Sequence, residues 1–160
     1  MKILIFTEGT LIMHPSGKNA SREQRVIQVK RNIPEIDEFK NYIPVDEAVK
    51  KLERWQTYGV EICYLTSRKS NKEIKDIQNV LNQYGFPKGK LYFRGPWESY
   101  GKVAERVLPD VLIEDDCESI GGKLQMTYPH IKRGIKEKIR SVVIKEFSGI
   151  DTLSDNPDQL

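Results

Sequence analysis

Three short stretches of this 160-residue chain concentrate groups that can hold ions and move protons. Near the amino terminus, "FTEGTL" sets Glu8 directly before a Gly-Thr pair at the end of an apolar run, with Phe6 two positions earlier. "YLTSR" ends a second apolar run on the hydroxyls of Thr66 and Ser67, and "VLIEDD" ends a third on Glu114, Asp115 and Asp116. Neighbouring acids repel, and burying even one is costly without a cation or a donor, so the triplet reads as a cation site. Strand alternation turns Glu114 and Asp116 to one side and Asp115 to the other, whereas a loop after the strand can reverse that arrangement. Hydroxyls at a strand end can hold an anion, and they also cap helices and close turns, so Thr66 and Ser67 carry both readings. Lys102, shortly before the acidic run, is a candidate for the positive charge that an anion needs, with Lys90 and Arg94 close by in the sequence.

Groups this far apart in sequence act together only if the chain brings the ends of those runs to one place. Five short runs rich in β-branched or aromatic residues read as strands covered on both faces: Lys2 to Thr7, Val60 to Thr66, Lys90 to Arg94, Asp110 to Glu114 and Ser141 to Phe147. Between them, Val45, Ala48, Val49, Leu52 and Trp55 recur at helical spacing, with Pro44 at the expected start and Gly59 at the stop. A second helix is expected over Lys72 to Tyr84, closed by Gly85, and a third over Tyr100 to Leu108. Alternating strands and helices imply an α/β domain with a mainly parallel, doubly wound sheet, and such sheets place ligands at the carboxyl ends of their strands.

In the order "FTEGTL", "YLTSR", "YGK", "VLIEDD", the chain resembles the haloacid dehalogenase (HAD) superfamily of phosphotransferases from Met1 to about Gly122. The resemblance implies a three-layer Rossmann-like fold: a five-stranded, mainly parallel sheet with helices on both faces. In that family the first strand ends Asp-x-Asp-Gly-Thr. The first acid attacks phosphorus and binds magnesium, and the second protonates the leaving group. Aligned on Gly9-Thr10, the nucleophile position holds Phe6 and the acid/base position holds Glu8. The resemblance assigns phosphate binding to Thr66 or Ser67 and to Lys102. It places Asp115, with Glu114 or Asp116, beside magnesium, a hard cation that takes oxygen ligands. Phenylalanine offers neither a nucleophile nor a ligand. The leading expectation is therefore a relative that keeps a crevice for phosphate and magnesium but has lost aspartyl-phosphate chemistry. A magnesium-dependent phosphohydrolase of a small phosphomonoester or nucleotide, or a protein-interaction module, are the alternatives.

Residues 1–150 are expected to form one domain, interrupted by a polar, basic insertion at about 12–42. Its "SREQRVIQVKRN" stretch has helical character, and residues 151–160 read as a flexible acidic tail. Cys63 and Cys117 form neither a disulfide framework nor a zinc pattern and are expected to be reduced. His14, beside Pro15, reads as an exposed histidine, and His130 as part of a covering loop. The formal charge of +3 is dispersed, which argues against nucleic acid and leaves small anions as partners. No apolar stretch approaches a membrane span, and "ILIF" is too short for a signal core, so a cytoplasmic protein is expected.

Overall fold

The computed structural model describes all 160 residues. In chain order the elements are β1 (Lys2–Phe6), β2 (Ile12–Met13), α1 (Arg22–Lys30), β3 (Ile43–Pro44), α2 (Ala48–Thr57), β4 (Glu61–Leu65), α3 (Asn71–Gln83), β5 (Lys90–Tyr92), α4 (Tyr100–Val107), β6 (Val111–Asp115), α5 (Arg133–Lys136) and β7 (Arg140–Ile144), with short 3-10 turns between them. Five strands form a sheet in the order β5-β4-β1-β6-β7, and every neighbouring pair is parallel. This is the α/β Rossmann-like architecture expected from the strand and helix alternation. The order reverses between β1 and β6, the position at which open α/β sheets form a crevice.

Alternation along the strands builds a core on each face. Ile3, Ile5, Ile62, Tyr64, Val111 and Ile113 pack with Leu52 and Trp55 of α2 and with Ile77, Val80 and Leu81 of α3. Leu4, Cys63 and Leu112 lie in register across β1, β4 and β6. They face the other way, onto Val103, Ala104 and Val107 of α4 and onto Ile131 and Ile139. The central strand is sealed on both sides, with Ile3, Leu4 and Ile5 fully buried. Sequence periodicity thus places the helices well: α3 starts on a capping box at Ser70 and Glu73, and α4 on the Ser99 hydroxyl. Pro44 belongs to β3 instead of opening α2, because it pairs with Ile12 in a two-stranded antiparallel ribbon.

The basic insertion has structure of its own. A capping box at Ser21 and Gln24 opens α1, and the buried Arg25 is the staple that fixes it. Arg25 donates from Nε to the Gly17 carbonyl and from a terminal nitrogen to the Phe147 carbonyl, each at 2.9 Å. The segment is thereby held over the carboxyl end of the sheet. His14 is buried beneath it instead of exposed, with Nδ1 2.7 Å from the Ser16 hydroxyl and its ring edge-on to Phe147. The last ten residues are docked, which corrects the expected flexible tail. Trp55 Nε1 donates to the Ser154 carbonyl at 2.9 Å, Lys51 Nζ to the Leu153 carbonyl at 2.7 Å, and Leu153 and Leu160 pack against the core. A fully buried indole needs a partner for its N–H, and this tail supplies it.

Candidate functional site

The site begins where β1 runs out. Gly9 has φ +80°, and a Cβ there would lie 2.7 Å from Asp115 Oδ2 and 3.5 Å from Glu146 Cγ. Only glycine lets the β1 turn pass this close to the two acids. Thr10 donates its hydroxyl to Asp115 Oδ2 at 3.0 Å, and the Cys117 amide donates to Oδ1 at 2.9 Å. The ends of β1, β6 and β7 therefore meet at one point.

Glu8 leaves β1 toward β4. Its Oε1 accepts from the Thr66 hydroxyl at 2.8 Å and the Ser67 hydroxyl at 3.2 Å, and Arg68 Nε lies 3.0 Å away. The Thr7 hydroxyl and, at 3.4 Å, the Ser67 amide donate to Oε2. Arg68 is itself held over the Phe39 ring at 4.3 Å. Thr66 and Ser67, expected from the sequence to hold a phosphate, donate their hydroxyls in this structure to the Glu8 carboxylate. Phe6, at the last position of β1, packs edge-on against Tyr100 with ring centroids 5.4 Å apart.

The three consecutive acids go to three different partners. Glu114, almost fully buried, accepts from the Thr127 amide at 2.6 Å and the Tyr128 amide at 2.9 Å, so it anchors the loop below the crevice. Burial raises its pKa, against those two bonds. Asp116 accepts from the Glu146 amide at 3.0 Å and pairs with Lys145 at 3.1 Å. Its pKa is lowered because these donors outweigh its partial burial. Asp115 alone points to the Gly9 turn. Burial, with the nearby Glu146 charge, pushes it up to about 7. Glu146 accepts from the Ser119 amide at 2.7 Å and hydroxyl at 2.6 Å, and its pKa is raised by burial.

Two corrections follow. Lys102 does not reach the crevice: it is half exposed on the outer side of α4, with Nζ 2.9 Å from Glu105. Glu114, Asp115 and Asp116 do not converge, and no three acidic, histidine or cysteine side chains stand together in a metal-holding arrangement. A magnesium ion needs several oxygens in near-octahedral array. Phe6 offers none, both oxygens of Asp115 are engaged by Thr10 and Cys117, and Asp116 is tied to Lys145. The residues present do not fit such an ion. Glu146 was not singled out from the sequence, although it stands two positions after the apolar run "SVVI", near the end of a predicted strand as the acids of "VLIEDD" are.

Above these acids lies a cavity of about 470 Å³. Phe6, Phe39, Tyr42, Tyr100 and Phe147 give it aromatic walls, and Ile36 and Val29 of the insertion roof it. Its basic side is Arg68, Lys69 and Arg94, and His130 stands at another edge with Nε2 3.0 Å from the Leu124 carbonyl. Burial and the adjacent Asp115 hold the Cys117 thiol protonated, so it is no nucleophile at neutral pH.

Comparison with solved structures gives a match over 92% of this chain and 68% of the other to the class C acid phosphatase from Bacillus anthracis with tungstate bound, at 14% identity and a TM-score of 0.56. The fold is HAD-like. The D,D-heptose 1,7-bisphosphate phosphatase from Burkholderia thailandensis aligns over 91% of this chain and 92% of its own, with 10% identity and a TM-score of 0.47. No family model matches the sequence, and no curated protein matches it. No helix is long and apolar enough to cross a membrane.

Proposed function

We propose that this HAD-like protein binds a small phosphorylated molecule at the carboxyl end of its sheet without passing the phosphoryl group through an aspartyl-phosphate. The observation that carries the reading is the pairing of Phe6 with Glu8. The position from which the attacking carboxylate would project holds a phenyl ring packed on Tyr100. The one carboxylate beside it is fixed by Arg68 and the Thr66 and Ser67 hydroxyls. A nucleophile must be free to approach phosphorus in line, and a carboxylate accepting several hydrogen bonds and facing a guanidinium is neither free nor strongly nucleophilic.

Anion binding is supported by the basic side of the cavity, Arg68, Lys69 and Arg94, set against aromatic walls. The class C phosphatase that shares the fold carries tungstate, an oxyanion, in its crystal structure. Magnesium is not required in this reading, since the acids it would need are engaged elsewhere.

The test is a thermal-shift titration with inorganic phosphate, sugar phosphates and nucleoside monophosphates, with phosphate release measured on the same samples with magnesium or with a chelator. Stabilisation without release is the expected outcome. Release that requires magnesium and disappears in Glu8→Gln would overturn it.

A further inference from the structure

The inner crevice already holds an anion of its own. Glu8 uses the hydroxyls of Thr66 and Ser67 and the charge of Arg68. The floor behind it carries Asp115 and Glu146, which would repel a second anion whenever ionised. An incoming phosphate is therefore driven outward, to cations that have no carboxylate of their own.

Two such cations stand at the rim. A second cavity, of about 660 Å³, adjoins the first and shares Lys69, Arg94 and Ser99 with it. Neither Lys69 nor Arg94 belongs to any of the ion pairs of this region, which join Arg68 to Glu8 and Arg106 to Glu98. Glu98, the acid of the second cavity, is further satisfied by the Gly95 amide at 2.8 Å. The Arg94 guanidinium is positioned over the Tyr100 ring at 4.8 Å. The second cavity is walled by Asn71, Phe93, Pro96 and Trp97.

Trp97 is the most exposed large apolar side chain of the molecule, and its backbone is left-handed at φ +64°. A bulky residue in that conformation carries backbone strain. An indole held in water on a strained backbone contributes nothing to the packing of its own chain, and such outliers concentrate where a ligand is bound. Its free π face is suited to a flat ring. Beside it, Phe93 and Pro96 supply apolar wall while Lys69, Asn71, Arg94, Glu98 and Ser99 supply polar and charged groups, a mixture that suits a flat ring joined to a charged group.

We propose that Lys69, Arg94 and Trp97 form a nucleotide-binding rim, with the phosphate between the two cations and the base stacked on the indole. This rests on the reading above, that this end of the sheet takes a phosphorylated small molecule, and it names the class of that molecule. The inner hydroxyls contribute nothing to this phosphate.

The chain has two tryptophans, Trp55, which is fully buried, and Trp97, so a ligand at the rim is read by Trp97 fluorescence. Adenosine 5′-monophosphate, ribose 5-phosphate and inorganic phosphate are titrated against the full chain, by fluorescence and by calorimetry. The nucleotide is expected to quench Trp97 and to bind about tenfold more tightly than ribose 5-phosphate, the increment that stacking supplies. Trp97→Gly suits the left-handed backbone, so it should fold with an unchanged Tm and bind the nucleotide no better than ribose 5-phosphate. The double variant Lys69→Gln/Arg94→Gln should lose affinity for all three. Equal affinity for nucleotide and ribose 5-phosphate, or nucleotide affinity unchanged by Trp97→Gly, overturns this inference and leaves the phosphate-binding reading standing. No binding of any of the three by the unaltered protein overturns both.

Discussion

Replacing Glu114 separates its role as a loop anchor from the role of a metal-side acid. Its two oxygens receive the amides of Thr127 and Tyr128, at 2.6 and 2.9 Å, in an almost fully buried setting. A hydrogen bond to a charged acceptor is worth about 1.5–3 kcal/mol, and an orphaned buried amide costs about 1–3 kcal/mol. Glu114→Ala loses both bonds and leaves at least the buried Thr127 amide without a partner, so a loss of about 3–4 kcal/mol is expected. At about 2–4 °C per kcal/mol for a chain of this size, Tm should fall by about 6–16 °C. Glu114→Gln keeps one acceptor and sets an NH2 against the other amide, so it should recover only part of that loss. Thermal denaturation with and without magnesium supplies the readout, and hydrogen exchange at Thr127 and Tyr128 locates it. If Glu114→Gln left Tm and exchange unchanged but abolished a magnesium-dependent stabilisation of the unaltered protein, the assignment of Glu114 as an anchor would fail.

Asp115 gives a pH signature. Its folded pKa is raised from 3.8 to about 7, so between those values the folded state holds a proton that the unfolded chain has released. Stability from this group is therefore full at low pH and is lost as pH rises through that window, by up to about 4 kcal/mol. Asp115→Asn should flatten the slope of Tm between pH 4 and 7, and an unchanged slope would show that another group sets it. Truncation before Leu153 removes the carbonyls that accept from Trp55 and Lys51. It should lower Tm by several degrees and shift Trp55 emission to the red, whereas a frayed tail would leave both unaltered.

The parallel sheet and its helices were legible because apolar strands between amphipathic helices encode a two-sided core directly, as the opposite-facing sets around Ile3 and Leu4 illustrate. The meeting of Glu8 with Thr66 and Ser67 was legible for a related reason: residues at the carboxyl ends of adjacent parallel strands must be neighbours. Side-chain destinations were less accessible. Three acids in a row fix no directions, and those of Glu114 and Asp116 follow from amides 13 and 30 residues further along the chain. Lys102 fits a sequence pattern but lies on the solvent side of α4, because the buried face of that helix is Val103, Ala104 and Val107. Arg94 and Trp97 come from a short Gly-Pro loop with no periodicity, and only the folded chain shows one to be unpaired and the other exposed. The tail reads as polar and turn-rich, yet it docks because Trp55 and Lys51 need its carbonyls.

Whether phosphorus is ever attached to the protein is the most direct question raised by a phenylalanine at the last position of β1. The measurement is the intact mass of the unaltered chain after incubation with acetyl phosphate and magnesium, sampled from the first turnover to saturation. An unmodified mass throughout is expected, because Phe6 has no attacking atom and Glu8 is held by Arg68, Thr66 and Ser67. A hydroxylamine-sensitive phosphoryl group that appears on the unaltered protein and is absent from Glu8→Gln would contradict the account at its centre.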